Sequence, residues 1–255
     1  EPTISPNANT QADDYFNTVL YTGTGSAQSI TGVGFEPDWI WIHPRNDTGS
    51  HVLSDVVRGE GNSLWSDRTD AEQANASNGQ IESHDADGFT VGNNAGIGNV
   101  NGSGDSVVSW NWKAGGTAVS NTDGSITSTV SANTDAGFSI VSYTGTGASA
   151  TVGHGLGVAP DVMIVKQRGN TTPWAVYHSQ SNNSANVFYE LNTTSGGITA
   201  STVFGSNPTS TVFGIRTDTN TNASSGTYIA YCFHDVEGYS KFGSYTGNGS
   251  TDGTF

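Results

Sequence analysis

Four aromatic residues, Trp65, Trp174, Tyr177 and Tyr189, stand in two long segments rich in Asn, Asp and Thr. Flat aromatic faces stack on sugar rings, and neighbouring amides, carboxylates and hydroxyls bond the sugar hydroxyls. The four are therefore the expected ligand-binding residues of a host-glycan site, against the plainer reading that each packs in a local core. Asp85-Ala86-Asp87-Gly88 carries a fragment of the calcium-loop pattern. Hard carboxylate oxygens suit Ca²⁺, so Asp85 and Asp87 are the expected ligands of a structural Ca²⁺. Nothing completes a loop of EF-hand type, and a solvated acidic face is the competing reading.

Other chemistry finds less support. Glycoside hydrolysis needs two carboxyls held across a sugar cleft, and no pattern here marks such a pair. Polysaccharide depolymerisation is kept only as the enzymatic alternative. The six histidines, His43, His51, His84, His154, His178 and His234, share no short metal-ligand spacing. Gly153-His154-Gly155-Leu156-Gly157 is followed by Pro160 and a strand-like run. A phosphate loop needs a helix N-terminus there, so the segment reads as a turn. Nucleophile-elbow, Walker and His-Glu-x-x-His patterns are absent. The sequence thus predicts a protein that is not an enzyme and needs no cofactor, with a structural Ca²⁺ at Asp85 and Asp87 kept as the alternative to a solvated acidic face.

Composition narrows the partners. The chain has 255 residues, 23 acidic and 8 basic, for a net charge of −15. Phosphate neutralisation needs clustered Lys and Arg, which argues against nucleic acid and against an anionic membrane surface. The acid is uneven: residues 1–142 hold 17 acidic and 4 basic side chains, residues 143–255 hold 6 and 4. Polarity comes mainly from Ser, Thr, Asn and 34 Gly, which favour turns and strands over helices. A single cysteine, Cys232, excludes an intrachain disulfide. No apolar run is long enough for a membrane-spanning helix.

The elements that must position these residues come in two copies. Tyr21-Thr22-Gly23-Thr24-Gly25 recurs as Tyr143-Thr144-Gly145-Thr146-Gly147, an offset of 122 residues. Pro37-Asp38-Trp39-Ile40-Trp41-Ile42 matches Pro160-Asp161-Val162-Met163-Ile164-Val165, and Val107–Trp112 matches Tyr228–Phe233. A third signature, Tyr245-Thr246-Gly247-Asn248-Gly249, follows near Phe255. The resulting division is a linker at 1–14, repeat 1 at 15–136 and repeat 2 at 137–238. Residues 239–255 then form a closing strand or the start of a truncated third repeat.

Alternation puts Val108, Trp110 and Trp112 on one strand face, matched by Ile229, Tyr231 and Phe233, and this face is assigned to the core. Trp39–Ile42 and Val162–Val165 are apolar on both faces, as in central strands covered on both sides. A hairpin is expected within Lys113–Ala136, and one helix at Ser66–Ala76. Short strands separated by Gly-rich turns predict an all-β fold of two tandem β-sandwich, jelly-roll-like repeats of similar topology. A binding site is expected in the variable middles, about Asp47–Asn101 and Gly169–Thr227, because loops on a rigid scaffold are free to diversify.

The Tyr-Thr-Gly-x-Gly signature, Phe35-Glu36-Pro37-Asp38-Trp39-Ile40-Trp41-Ile42, and the segments Asn121–Ile126, Asn133–Val141 and Gly238–Gly249 resemble a known repeat. It is a repeat of unknown function in long structural proteins of bacteriophages, marine ones above all, often labelled tail-fibre-like. The resemblance spans about Tyr15 to Phe255 and supplies no catalytic residues. It implies a virion or extracellular setting, an upstream SPRY-like sandwich joined through Glu1-Pro2-Thr3-Ile4, and an adhesive or architectural role. It also implies other virion proteins and host-surface glycan as partners, and a homo-oligomer, by analogy a trimer.

Overall fold

A computed structural model describes residue 4 and residues 10–74, 80–93, 97–181 and 184–250. Repeat 1 contributes β1 (Phe16–Thr22), β2 (Gln28–Thr31), β3 (Trp39–Pro44), β4 (Val52–Asp55), β5 (Asn62–Trp65), β6 (Gln73–Ala74), β7 (Ile81–Asp85), β8 (Gly88–Val91) and β9 (Ser106–Trp112). A hairpin strand pair follows, β10 (Val119–Asn121) and β11 (Ser128–Asn133). Repeat 2 then supplies β12 (Phe138–Thr144), β13 (Ala150–Gly153), β14 (Val162–Gln167), β15 (Ala175–His178), β16 (Val187–Glu190), β17 (Ile198–Thr199), β18 (Val212–Ile215) and β19 (Thr227–Phe233). One helical turn, α1, spans Thr219–Asn222.

The large sheet of repeat 1 runs β1-β9-β3-β4-β5-β6, and its small sheet runs β2-β8-β7. Repeat 2 has the same order, β12-β19-β14-β15-β16-β17, with β10-β11 added beside β12 and β13-β18 as the small sheet. Where β7 pairs with β8 in repeat 1, repeat 2 has a single bridge, Phe204 to Ile215. The fold is all-β and built of sandwiches.

The faces of the central strands explain how the layers stack. Ile40 and Ile42 of β3 pack with Ile30, Phe89 and Val91 of the small sheet. Met163 and Val165 of β14 pack in the same way with Val152, Phe213 and Ile215. The opposite faces of the two large sheets meet each other: Trp39, Leu53 and Leu64 share a third core with Phe138, Ile140, Trp174, Ile229 and Tyr231. The order is therefore small sheet, large sheet, large sheet, small sheet. This is why β3 and β14 are apolar on both faces. Full burial of one such side chain contributes about 1.5–3 kcal/mol. A shared apolar core of this kind opposes the relative motion expected of weakly joined domains.

The repeated signature is used up by the fold. Tyr21 donates its hydroxyl to the Val100 carbonyl at 2.6 Å, and Tyr143 donates to the Thr221 carbonyl at 2.8 Å. Asn101 Oδ1 accepts from the Thr24 amide at 2.9 Å, and Asn222 Oδ1 from the Thr146 amide at 2.7 Å. Their Nδ2 groups donate to the Ser26 and Ala148 carbonyls. A Cβ on Gly23 would lie 2.2 Å from the Gly102 carbonyl oxygen, and one on Gly145 2.4 Å from that of Ala223, so only glycine fits. Both asparagines are fully buried. Truncation leaves buried groups unmet at about 1–3 kcal/mol each, so Asn101→Ala and Asn222→Ala are each expected to lose at least about 2 kcal/mol. Urea unfolding curves measure this, and a loss below about 0.5 kcal/mol would contradict it.

The Pro-Asp pair has an equally local purpose. The Asp38 carboxylate accepts from the Ala114 amide at 2.6 Å, and Asp161 accepts from the Asp235 amide at 2.9 Å. Each aspartate thus ties the residue two beyond its aromatic strand, and burial pushes the Asp38 carboxyl upward in pKa.

Four expectations change. Trp110 is half-buried, whereas Ile229 is fully buried. The face assigned to the core in β9 is the seam face, and repeat 2 covers only its Trp39–Trp112 end. Val107, Ser109 and Asn111 point instead into the sandwich of repeat 1, where all three are buried. Within Ser66–Ala76 the described residues form no helix; Gln73–Ala74 pair with β5 as a strand. Sheet pairing outweighs weak helix propensity there, and Asn75 and Ala76 lie outside the described residues. Ile4 of the expected linker is fully buried, 122 residues before the buried Ile126. The described part of 239–255 forms no closing strand: Tyr239 and Phe242 fold back beside Tyr15 and Phe233.

Candidate functional site

Three of the four expected stacking residues have no face toward solvent. Trp65 is 1% exposed in the sandwich core of repeat 1, and Tyr177 is 3% exposed in that of repeat 2. Trp174 is fully buried at the seam, where its indole N–H donates to the Trp65 carbonyl at 2.8 Å. Tyr189 is half-buried on β16, next to β17. The variable middles are thus anchored by their large aromatics rather than presenting them. A stacking role for Trp65, Trp174 and Tyr177 gives way to packing.

The two expected calcium ligands hold turns. Asp85 accepts from the Ser83 and Thr90 hydroxyls, both at 2.8 Å. Asp87 accepts from the Gly32 amide at 3.1 Å and the Gly34 amide at 2.7 Å. Among the described residues no group of three or more His, Cys, Asp or Glu side chains is placed to hold a metal.

The sheets do bring together aromatics that the sequence spreads over six segments. A groove of about 340 Å³ opens at the seam, walled by Phe16, Trp39, Trp41, Trp112, Phe138 and Phe233, and closed on one side by Tyr239 and Phe242. Strand pairing explains the cluster: Trp39 faces Trp112 across β3 and β9, and Phe16 faces Trp112 across β1 and β9. Ring centroids of Trp39 and Trp112 are 4.4 Å apart, and those of Phe16 and Trp112 4.8 Å. Trp39 also stacks on Tyr231 at 4.3 Å. The Trp39 indole N–H is buried and has no acceptor among the described residues. The groove lies on the shared strands and the C-terminal segment, outside both variable middles.

A family model described as a domain of unknown function (DUF7483) matches residues 11–255. The chain belongs to the DUF7483 family. The match covers both repeats as one unit, in keeping with the shared core between them. No curated protein and no solved structure matches the chain.

Beside the groove, the DUF7483 seam holds buried charge. Asp55 Oδ2 accepts from Arg58 Nε at 2.5 Å and from the Tyr231 hydroxyl at 2.7 Å, crossing from repeat 1 to repeat 2. Glu72 receives Arg58 at 3.2 Å and a two-pronged Arg168 at 2.9 and 2.7 Å. Asp55 and Arg58 have fully buried side chains. Lys166, fully buried, donates to the carbonyls of Thr69, Gln167 and Asn170 and to the Thr172 hydroxyl, and burial pushes its pKa down to about 8. Asp55, Arg58 and Lys166 are enclosed by protein donors and acceptors, whereas Glu72 and Arg168 keep some exposed surface.

Two groups with catalytic potential are likewise enclosed. His84 donates from Nδ1 to the Pro37 carbonyl at 2.7 Å, so its Nε2 accepts from the Ser54 hydroxyl at 3.0 Å. Ser54 has no exposed surface, and a nucleophile in that pairing has no route to a substrate. Burial pushes the Cys232 thiol up to about 12, which keeps it protonated and unreactive.

Burial holds the imidazoles of His84, His51 and His154 below their ordinary pKa of 6.5. A lowered folded-state value means that the unfolded chain takes up these protons first as the pH falls. Stability is therefore expected to decrease as pH drops from about 7 to about 5, and His84→Gln should flatten that slope. Thermal melts across this range test it; a melting temperature that rises toward pH 5 in the parent would refute the sign.

Proposed function

We propose that this DUF7483 chain is a non-catalytic structural module of a virion fibre or decoration, acting outside cells and assembled with other virion proteins. The observation that carries the reading is the seam. Two repeats of one fold share a third apolar core and a buried charge network, which makes one stiff block. Stiff blocks in series suit an extended fibre, where each repeat spaces and orients the next. The Tyr-Thr-Gly-x-Gly turn and the Pro-Asp pair serve the fold itself. The phage-protein resemblance of the same motifs supplies the virion setting and the expectation of a trimer.

The test is immunogold microscopy of particles from the source of this sequence, using an antibody to the chain. Label on fibres or capsid surface is expected, and label confined to infected-cell lysate overturns the assignment. Incubation with host polysaccharide is expected to release no new reducing ends; their release would establish the depolymerase alternative.

A further inference from the structure

We infer that the aromatic groove at the seam is a binding subsite for a neutral saccharide, a recognition function beyond the architectural one. Three independent features carry this. The walls are flat rings in numbers that local packing does not require to face an opening: Trp41, Trp112, Phe233 and Phe242 are each only half-buried. Aromatic faces of this kind take the C–H faces of pyranose rings.

The second feature is the Trp39 indole. It lines the groove at 1% exposure, and its N–H finds no acceptor among the described residues. Buried donors are nearly always paired; of the two buried indole N–H groups left without an acceptor among the described residues, those of Trp39 and Trp65, Trp39's is on a ring that lines an opening, where a ligand can bring one. A sugar hydroxyl or ring oxygen is such an acceptor, and an acyl chain is not. Tyr239 and Ser240 also line the groove, the Ser240 hydroxyl being bonded to the Val236 amide and the His234 carbonyl.

The third feature is charge. Among the described residues no Asp, Glu, Lys or Arg lines the groove, although the chain carries a net charge of −15. A sugar acid or phosphate would find no counter-charge there, so the ligand is neutral. The volume of about 340 Å³ falls at the small end of ligand sites, which suits one or two rings of a longer chain lying across the seam.

The full chain should be titrated with cellohexaose, maltohexaose and laminarihexaose, and with an oligogalacturonate as the charged comparison. Tryptophan fluorescence and calorimetry report binding. At least one neutral hexaose is expected to bind with Kd at or below about 1 mM. Phe242→Ala and Trp41→Ala should each weaken it about tenfold, and Trp39→Phe, which keeps a ring but removes the donor, several-fold. Leu20→Ser, on the same sheet face but outside the groove, should bind like the parent. Circular dichroism and thermal melts establish that each variant is folded; Phe242 lies on the C-terminal segment, beyond the seam core, and keeps the test usable if Trp41→Ala unfolds. Absence of neutral hexaose binding up to about 10 mM overturns the inference. So does parental affinity in Phe242→Ala, tighter binding of the oligogalacturonate, or capture of an apolar dye in the groove with no saccharide bound.

Discussion

Asp55→Ala is expected to destabilise the protein by about 3–5 kcal/mol, the cost of stranding a buried charge. Asp55 receives four donors: the amides of Val57 and Arg58, Arg58 Nε and the Tyr231 hydroxyl. Removing the carboxylate leaves the Arg58 guanidinium buried, with Glu72 at 3.2 Å as its remaining ion partner. It also leaves the Tyr231 hydroxyl without an acceptor inside the seam. The double variant Asp55→Ala/Arg58→Met should recover part of the loss, because an apolar replacement of both partners removes the stranded charge. Guanidinium unfolding followed by tryptophan fluorescence measures both. A loss below about 1 kcal/mol would mean that the pair is solvated rather than enclosed. Because the network crosses the seam, weakening it should also split a single unfolding transition toward two.

Trp174→Ala is expected to cost about 3–5 kcal/mol through the cavity it leaves. The indole is fully buried, its ring centroid is 6.4 Å from that of Tyr231, and its N–H reaches the carbonyls of Trp65 and Arg68 in the other repeat. Truncation therefore removes seam packing and the shorter of the two hydrogen bonds to the Trp65 carbonyl, which keeps the Arg68 amide at 3.3 Å. Trp174→Phe should restore part of the packing but not the hydrogen bond. Chemical denaturation of the two variants separates these contributions. Since Trp174 is absent from the groove wall, folded Trp174→Phe should bind any groove ligand as the parent does. A surface role for Trp174 predicts the reverse, with stability unchanged and binding lost.

Much of the fold is legible in the residues alone because strand geometry has a short period. Alternation along Val107–Trp112 and Tyr228–Phe233 marks two matched strands, and the double-faced Trp39–Ile42 and Val162–Val165 mark their covered neighbours. The turn at Asn133–Gly137 is also readable: Asn133 Oδ1 accepts from the Asp135 and Ala136 amides, a purely local pattern. The site was less legible. Trp65, Trp174 and Tyr177 have the composition and surroundings of sugar-stacking residues, yet the same residue types serve a core equally well. Asp85 and Asp87 have the spacing of calcium ligands, yet that spacing also suits carboxylates that hold a hairpin.

The sequence by itself determined the all-β class, the two matched repeats, the central position of β3 and β14, and a net charge of −15. These follow from periodicity, self-similarity and composition, which are carried by neighbouring residues. Only the tertiary structure decided that the two large sheets pack face to face, that Trp110 emerges at the rim while Ile229 is enclosed, and that Phe16, Trp39, Trp112, Phe233 and Phe242 converge on one groove. An apolar strand face states that water must be excluded from it, but not which surface excludes it or how far along the strand the cover extends. That depends on pairings between residues more than a hundred positions apart, such as Trp39 on Tyr231, which no local pattern encodes.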